Sequence, residues 1–194
     1  MRLRTHPRVA SALFILSLVP AVLALSSCST SGTGPSAASG DGTTRPTTPL
    51  SGFRTTTVTI VAADGSSRTI CVLVADSERL RQQGLMEVED RSLGGHDGMV
   101  FVFAEDVRGS FWMKHTRLPL SIAYLRADGS VASTTDMAPC PDDVERCPTY
   151  PPGDAYRYAI EVPQGELAPL GIGDGATVTV GTEPCGSEST ATTG

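Results

Sequence analysis

The chain has 194 residues, with 15 basic and 21 acidic side chains, three histidines and a formal charge of −6. An acid-rich surface of this kind repels phosphate backbones and anionic headgroups, which excludes nucleic acid and argues against peripheral membrane binding. The sequence holds no Gly-x-Ser-x-Gly elbow, phosphate-binding loop, Cys-x-x-Cys or His-Glu-x-x-His, so it points away from an enzyme and calls for no cofactor.

Residues 1–27 read as a targeting segment, to be set aside from the fold. Arg2, Arg4 and Arg8 form a basic start, and Val9 to Leu25 form an apolar run interrupted by Pro20. That run is shorter than the roughly 20 residues of a spanning helix. It ends in Leu25-Ser26-Ser27-Cys28, which resembles a bacterial lipoprotein signal at each position. The resemblance implies cleavage before Cys28, acylation of that residue, and a mature protein anchored by lipid to the extracytoplasmic face of a bacterial membrane. Loss of the three arginines leaves 12 basic against 21 acidic side chains, a mature charge of −9. Residues 28–56 are expected to be a disordered linker. From Ser29 to Gly52 only Asp41, Arg45 and Leu50 depart from Ser, Thr, Gly, Pro and Ala, which leaves too little apolar surface to offset the entropy of ordering.

Residues 57–181 have the size of one domain with one core, followed by a flexible tail over 182–194. Val58, Ile60 and Ala62 alternate, as do Ile70, Val72 and Val74, with Asp64-Gly65 between the two runs. This pattern predicts a β-hairpin with a type I′ turn. Asp76 is the expected cap of a short helix over 77–83, with Glu78 in its first turn and Gly84 as its stop. Strands follow at 98–103 and 109–114, then a second hairpin from 121–126 to 130–135 around Asp128-Gly129. A strand at 156–162, a turn of helix at 164–168 ended by Pro169 and Gly171, and a strand at 176–181 complete the series. The fold class is therefore mainly β (α+β): a compact β-sandwich or open barrel of about seven or eight strands, with one or two short helices covering it.

Beyond Cys28 there are four cysteines, an even number in an exported chain, which reads as a disulfide framework rather than a zinc site. Three pairings are possible. Cys140 with Cys147 would close a tight loop around Pro141, Asp142 and Asp143, and Cys71 with Cys185 would staple an early strand to the tail.

Several short motifs recur in order along the core: Gly84-Leu85-Met86, Asp97-Gly98-Met99-Val100-Phe101, Phe111-Trp112-Met113-Lys114-His115-Thr116, Pro119-Leu120, Pro139-Cys140, Cys147-Pro148-x-Tyr150, Ile160-Glu161-Val162 with Gly165, and Gly171-Ile172-x-x-Gly175. In this order they resemble the domain-of-unknown-function 192 family, across essentially the whole core. The resemblance implies a small, mainly β, exported or membrane-anchored domain, and implies no reaction. Two positions depart from the family pattern, with His115 in place of Asn and Ser121 in place of Asp.

The densest constellation is Phe111 to Thr116. Strand alternation would send Phe111, Met113 and His115 to one face and Trp112, Lys114 and Thr116 to the other. Trp112 with Lys114 could then form a platform for a carboxylate-bearing or glycan ligand such as a cell-wall fragment, with His115, Asp97, Tyr150 or Glu161 adding polar contacts. The bland alternative makes Trp112 a core plug and pairs Lys114 with Glu161. A second idea gathers Met86, Met99 and Met113 with His115 or His96, since thioether and imidazole ligands suit Cu(I); methionine is equally the gap-filler of cores. Asp97, Asp136 and Glu161 are the carboxylates available for acid–base work, and nothing in the sequence brings two together. The expected partners are the membrane, through the lipid anchor, and an envelope ligand; a protein-interaction module without a ligand site is the other reading.

Overall fold

The computed structural model describes Leu50 and residues 52–186. The targeting segment, Cys28, the linker up to residue 49 and the tail beyond Gly186 lie outside the described residues. Nine strands and two short helices follow one another: β1 (Arg54–Val61), β2 (Ser67–Ala75), α1 (Glu78–Gln83), β3 (Gly98–Val107), β4 (Phe111–Trp112), β5 (Leu120–Leu125), β6 (Val131–Met137), β7 (Thr149–Tyr150), β8 (Tyr156–Pro163), α2 (Leu167–Leu170) and β9 (Thr177–Val180). Seven strands form one sheet in the order β6-β5-β8-β3-β2-β1-β9, while β4 and β7 pair apart from it. All neighbours run antiparallel except β2 and β3, whose parallel pairing is the consequence of the crossover through α1.

The two edges of the sheet meet. Ser130 bridges Thr177, and the Val178 amide donates to the Gly129 carbonyl at 2.9 Å, so the sheet curls into a barrel joined at a single point. Gly129 sits at φ +83°, and a Cβ there would collide with the Val178 carbonyl. A side chain at this position would hold the edges apart.

Alternation along the strands gives each residue one of two surroundings. Val58, Ile60, Val72, Val74, Val100, Ala123, Leu125, Ile160, Val162 and Val178 point into the barrel, with Leu167, Leu170 and Ile172 around α2 packed against them. Leu73, Met99, Phe101, Leu120, Ile122, Tyr124 and Ala159 face outward on β2, β3, β5 and β8. They are buried there by Leu80 of α1, by Leu85, Val88 and Leu93, and by Met113 and Leu118. The barrel wall is thus covered on one side by a second layer of largely irregular chain.

Several expectations need correction. Gly65 and Gly129 have positive φ but Asp64 and Asp128 do not, so neither hairpin has a type I′ turn. Gly65 donates to Ala62 and Ala62 to Ser66; Gly129 donates to Arg126 and Arg126 to Ser130. These are three-residue loops ending in a left-handed glycine. Asp64 and Asp128 instead accept the backbone and hydroxyl hydrogens of Ser66 and Ser130, which holds both carboxyls below the usual carboxylate range. Ser77, not Asp76, caps α1 through its hydroxyl, because Asp76 is engaged by Arg54 at 2.9 Å. The strand expected over 109–114 shrinks to two residues. The second helix starts at Leu167 and contains Pro169, with Gly171 at φ 83° as its stop. β1 begins at Arg54 and buries Thr56 completely, so the domain takes in the last residues of the expected linker. Cys71 is bonded to Cys185 and Cys140 to Cys147.

Candidate functional site

β4 is short because its partner is short: Phe111 pairs with Tyr150 and Trp112 with Thr149. Phe111 turns inward and stands edge-on to Phe101 and Tyr124, with ring centroids 4.9 and 5.8 Å away. Tyr124 and Tyr156 extend this aromatic cluster at 4.9 Å. Their hydroxyls donate to the Tyr150 carbonyl at 2.6 Å and the Gly109 carbonyl at 2.9 Å, fixing β7 and the approach to β4. With Phe111 anchored, Trp112 must face out, and it is 53% exposed. That exposure removes the core-plug reading.

Between α1 and β4 lies a cleft of about 280 Å³, walled by Arg81 and Gln82 on one side and Ser110 to Trp112 on the other, over Phe101, Phe103 and Tyr156. Arg81 donates to the Asp76 and Val102 carbonyls and lies over the Phe103 ring at 4.9 Å, so its charge is already engaged. The cleft shares Arg81, Gln82, Phe101, Phe111 and Trp112 with a narrow inner recess of about 40 Å³, which adds Gly84, Leu85, Met86, Thr116 and Glu161.

Glu161 is the unusual member. It sits on the outward face of β8, opposite Met99 of β3 and Ile122 of β5, and is 4% exposed. Among the described residues no side chain forms an ion pair with it and no donor reaches its carboxyl. Burial alone pushes it up to about 8, so at neutral pH it is mostly protonated. Among the described residues no buried side-chain nitrogen or oxygen lacks a partner, so the Glu161 oxygens keep some contact with solvent through the recess. Gly98 lets β3 approach this strand, since a Cβ there would collide with the Glu161 carbonyl oxygen.

Of the residues singled out from sequence, Trp112, Glu161 and Met86 line the recess together and the others do not. Lys114 is half-buried in an isolated bridge with Cys140, and no ion pair joins it to Glu161. Asp97 accepts the Cys71 amide at 2.8 Å and returns its own amide to the Cys71 carbonyl at 2.9 Å, which ties the start of β3 to β2. Tyr150 uses its hydroxyl on the Ala138 backbone. His115 leaves the strand pattern at φ 57° and turns its ring to Asp142 at 3.3 Å and Glu87 at 3.7 Å. Arg117 bridges the same two carboxylates at 2.8 Å each, and its guanidinium holds Asp142 low. Met99 and Met113 are core packing and Met86 is half-buried at the recess; His96 binds the Leu93 carbonyl through Nδ1. Among the described residues no group of three His, Cys, Asp or Glu side chains is placed to hold a metal. Asp136 bonds Ser121 and Gln164, which lowers it through those bonds.

Sequence reasoning missed Arg81, Gln82, Gly84, Phe101 and Phe111 as cleft residues. A signal for the site was present in Ile160-Glu161-Val162, a charge within the apolar run from Tyr158 to Val162. A larger hollow of about 600 Å³ lies between the first hairpin turn and α2. Its acid Asp64 is already satisfied by Ser66, its other charged residues Arg68 and Asp174 are exposed, and no aromatic side chain lines it.

Residues 59–180 match the model of the DUF192 family, described as "Uncharacterized ACR". The chain belongs to the DUF192 family. A crystal structure from Sinorhizobium meliloti 1021, labelled a candidate transcription regulator, is 26% identical with a TM-score of 0.56, covering 66% of this chain and 95% of that one. A protein of unknown function from Novosphingobium aromaticivorans DSM 12444 is also 26% identical with a TM-score of 0.58, covering 68% and 89%. A search of curated proteins gives no significant match. Membership makes the two departures from the DUF192 pattern readable. His115 occupies a left-handed position of the kind that Asn and His both tolerate. Ser121 is 1% exposed, donates to Asp136 at 2.5 Å and accepts the Gly165 amide at 3.0 Å. An acceptor for that amide is what the position supplies, and Asp136 brings the carboxylate from the neighbouring strand. Both departures thus fall on structural positions outside the cleft.

Proposed function

We propose that this DUF192 protein is a lipid-anchored, extracytoplasmic binding module of the bacterial envelope, and that the cleft between α1 and β4 receives a glycan-bearing ligand. The observation that carries the reading is the half-exposed Trp112 on a cleft that adjoins a recess lined by the Glu161 carboxyl. An aromatic face with few convergent polar groups suits a sugar ring. A carboxylate ligand suits the cleft less, because Arg81 is already engaged and Lys114 does not line it. The oxidising compartment that the anchor implies agrees with two disulfides in a small domain. The protein-interaction reading calls for a broad exposed apolar patch. Among the described residues the large apolar side chains that are exposed are Val61, Trp112 and Val144, on three separate segments.

Trp112 is the sole tryptophan, so its emission reports the cleft directly. Titrating the processed chain in polyoxyethylene-ether micelles with solubilised cell-wall glycan fragments should quench or blue-shift that emission with saturation. An unchanged spectrum at millimolar fragment would end the glycan reading. The anchor has a separate test, since labelled palmitate should enter the wild-type protein and not Cys28→Ser.

A further inference from the structure

We infer that the inner recess is a seat for a primary ammonium group carried on a thin alkyl stem, with Glu161 as its counter-charge and Trp112, Phe111 and Phe101 as its walls. The inference rests on the cleft being a ligand site and names the part of the ligand that reaches its floor. Four observations converge on it. The recess, at about 40 Å³, is too small for a sugar ring and large enough for an ammonium or a water or two. Three aromatic rings line it, and aromatic faces attract cations. The acid in it forms no ion pair: Lys114 does not line the recess, and Arg81, which does, is held by two carbonyls and lies over Phe103. Gly84, which lines the recess, adds no side chain to it, and a Cβ there would stand 3.3 Å from the Phe101 ring.

A hydroxyl could also bond Glu161, but any polar wall would serve a hydroxyl, whereas the aromatic lining adds nothing to it. A diamino-acid side chain on a cell-wall peptide has the required shape: methylenes for the aromatic cleft and an ammonium for the recess.

Seating the cation requires Glu161 to release its proton, so binding is linked to pH. The charged and titratable groups around the carboxyl are Arg81 on α1 and Tyr124 on β5, with Glu78 and Tyr156 at the outer cleft. Burial raises Tyr156 to about 12 and Tyr124 still further, so neither titrates between pH 6 and 9. Below the value of about 8 for Glu161, affinity for the cation should weaken by about tenfold per pH unit.

The experiment compares a cell-wall disaccharide–tripeptide ending in lysine with the same compound acetylated on its Nε. Both are titrated against the processed full chain in micelles at pH 6, 7, 8 and 9, reading Trp112 emission. The expected result is binding of the free amine that tightens steeply up to pH 8 and levels off, with the acetylated compound at least tenfold weaker and insensitive to pH. Glu161→Gln should bind both weakly and alike. Equal, pH-independent binding of the two compounds to the wild type would overturn the ammonium seat while leaving the glycan cleft standing. Failure of both compounds would remove the cleft reading itself. If Glu161→Gln does not fold, the acetylation and pH comparisons on the wild type decide alone.

Discussion

Inside the barrel, Val, Ile, Leu and Ala from six strands pack on one another. On the other side of the same wall, the alternate residues of β2, β3, β5 and β8 are Met99, Phe101, Ile122, Tyr124 and Glu161, and what covers them is mostly irregular chain. Among the described residues the three non-glycine residues with positive φ, Glu87, Leu93 and His115, all belong to that covering layer. The interior can be filled by alternation alone, because regular strands supply it. The outer layer must close over aromatic rings without strands of its own, and it does so with turns, a two-residue strand pair and side chain to backbone bonds such as Tyr124 to Tyr150. The cleft lies where that closure is incomplete. A site on this protein is therefore a feature of the cover and not of the barrel.

The two disulfides divide along the same line, which gives the sharpest comparison. Cys71–Cys185 spans 114 residues and ties β2 to the tail, whereas Cys140–Cys147 spans seven within the cover. On the chain-entropy model, replacing the first pair by serines should lower stability by about 4 to 5 kcal/mol, and replacing the second by about 2 to 3 kcal/mol. Urea unfolding of each double variant measures this. A larger loss from the short loop would break the comparison, since the cover would then hold the barrel together.

Gly129→Ala tests the barrel alone. The new Cβ meets the Val178 carbonyl and must adopt φ near +83°, so the variant should lose on the order of 3 kcal/mol. Amide exchange at Val178 should accelerate, while Trp112 emission stays as it is. A shifted emission would mean that the cover depends on the join between β6 and β9.

These differences also explain what could be read from the sequence. The strands that fill the barrel were legible because Val58-x-Ile60, Ile70-x-Val72-x-Val74 and Ile160 with Val162 obey a period of two. The turn glycines at 65 and 129 were legible for the same reason, as breaks in that period. The turn type was not, because Asp-Gly serves a type I′ turn and a type I turn with a left-handed glycine equally well. Phe111 to Thr116 was misread as a continuous strand: Trp112 and Lys114 share a parity, yet a left-handed residue at 115 and the lack of a longer partner end the alternation after two residues. Trp112 and Glu161 were both recognisable as odd residues for their places. Their meeting in one cleft depends on α1 and β4 lying over β8, a contact between segments far apart in the chain that no local pattern encodes.

Glu161→Gln probes the boundary between wall and cover. Between the ordinary carboxylate value of 4.5 and about 8, the folded protein keeps a proton on Glu161 that the unfolded chain has released. Its contribution to stability therefore falls as pH rises through that window and levels off above it. The amide cannot titrate, so the variant should lose this slope and be the more stable protein at pH 8. Thermal unfolding from pH 5 to 9 would show the two curves diverging upward in pH. Parallel curves would mean that Glu161 finds a partner in solution.

Trp112→Ala should have the smallest effect on the fold and the largest on the site. The indole is half exposed and its ring makes none of the aromatic pairs that hold Phe111, Tyr124 and Tyr156, so stability should change by less than about 0.5 kcal/mol. Ligand affinity, read by calorimetry because the fluorophore is gone, should fall by at least about tenfold if the ring supplies stacking worth ~1.4 kcal/mol or more. The opposite pattern, a destabilised protein that binds as before, would make Trp112 part of the cover's packing and move the site elsewhere on the barrel.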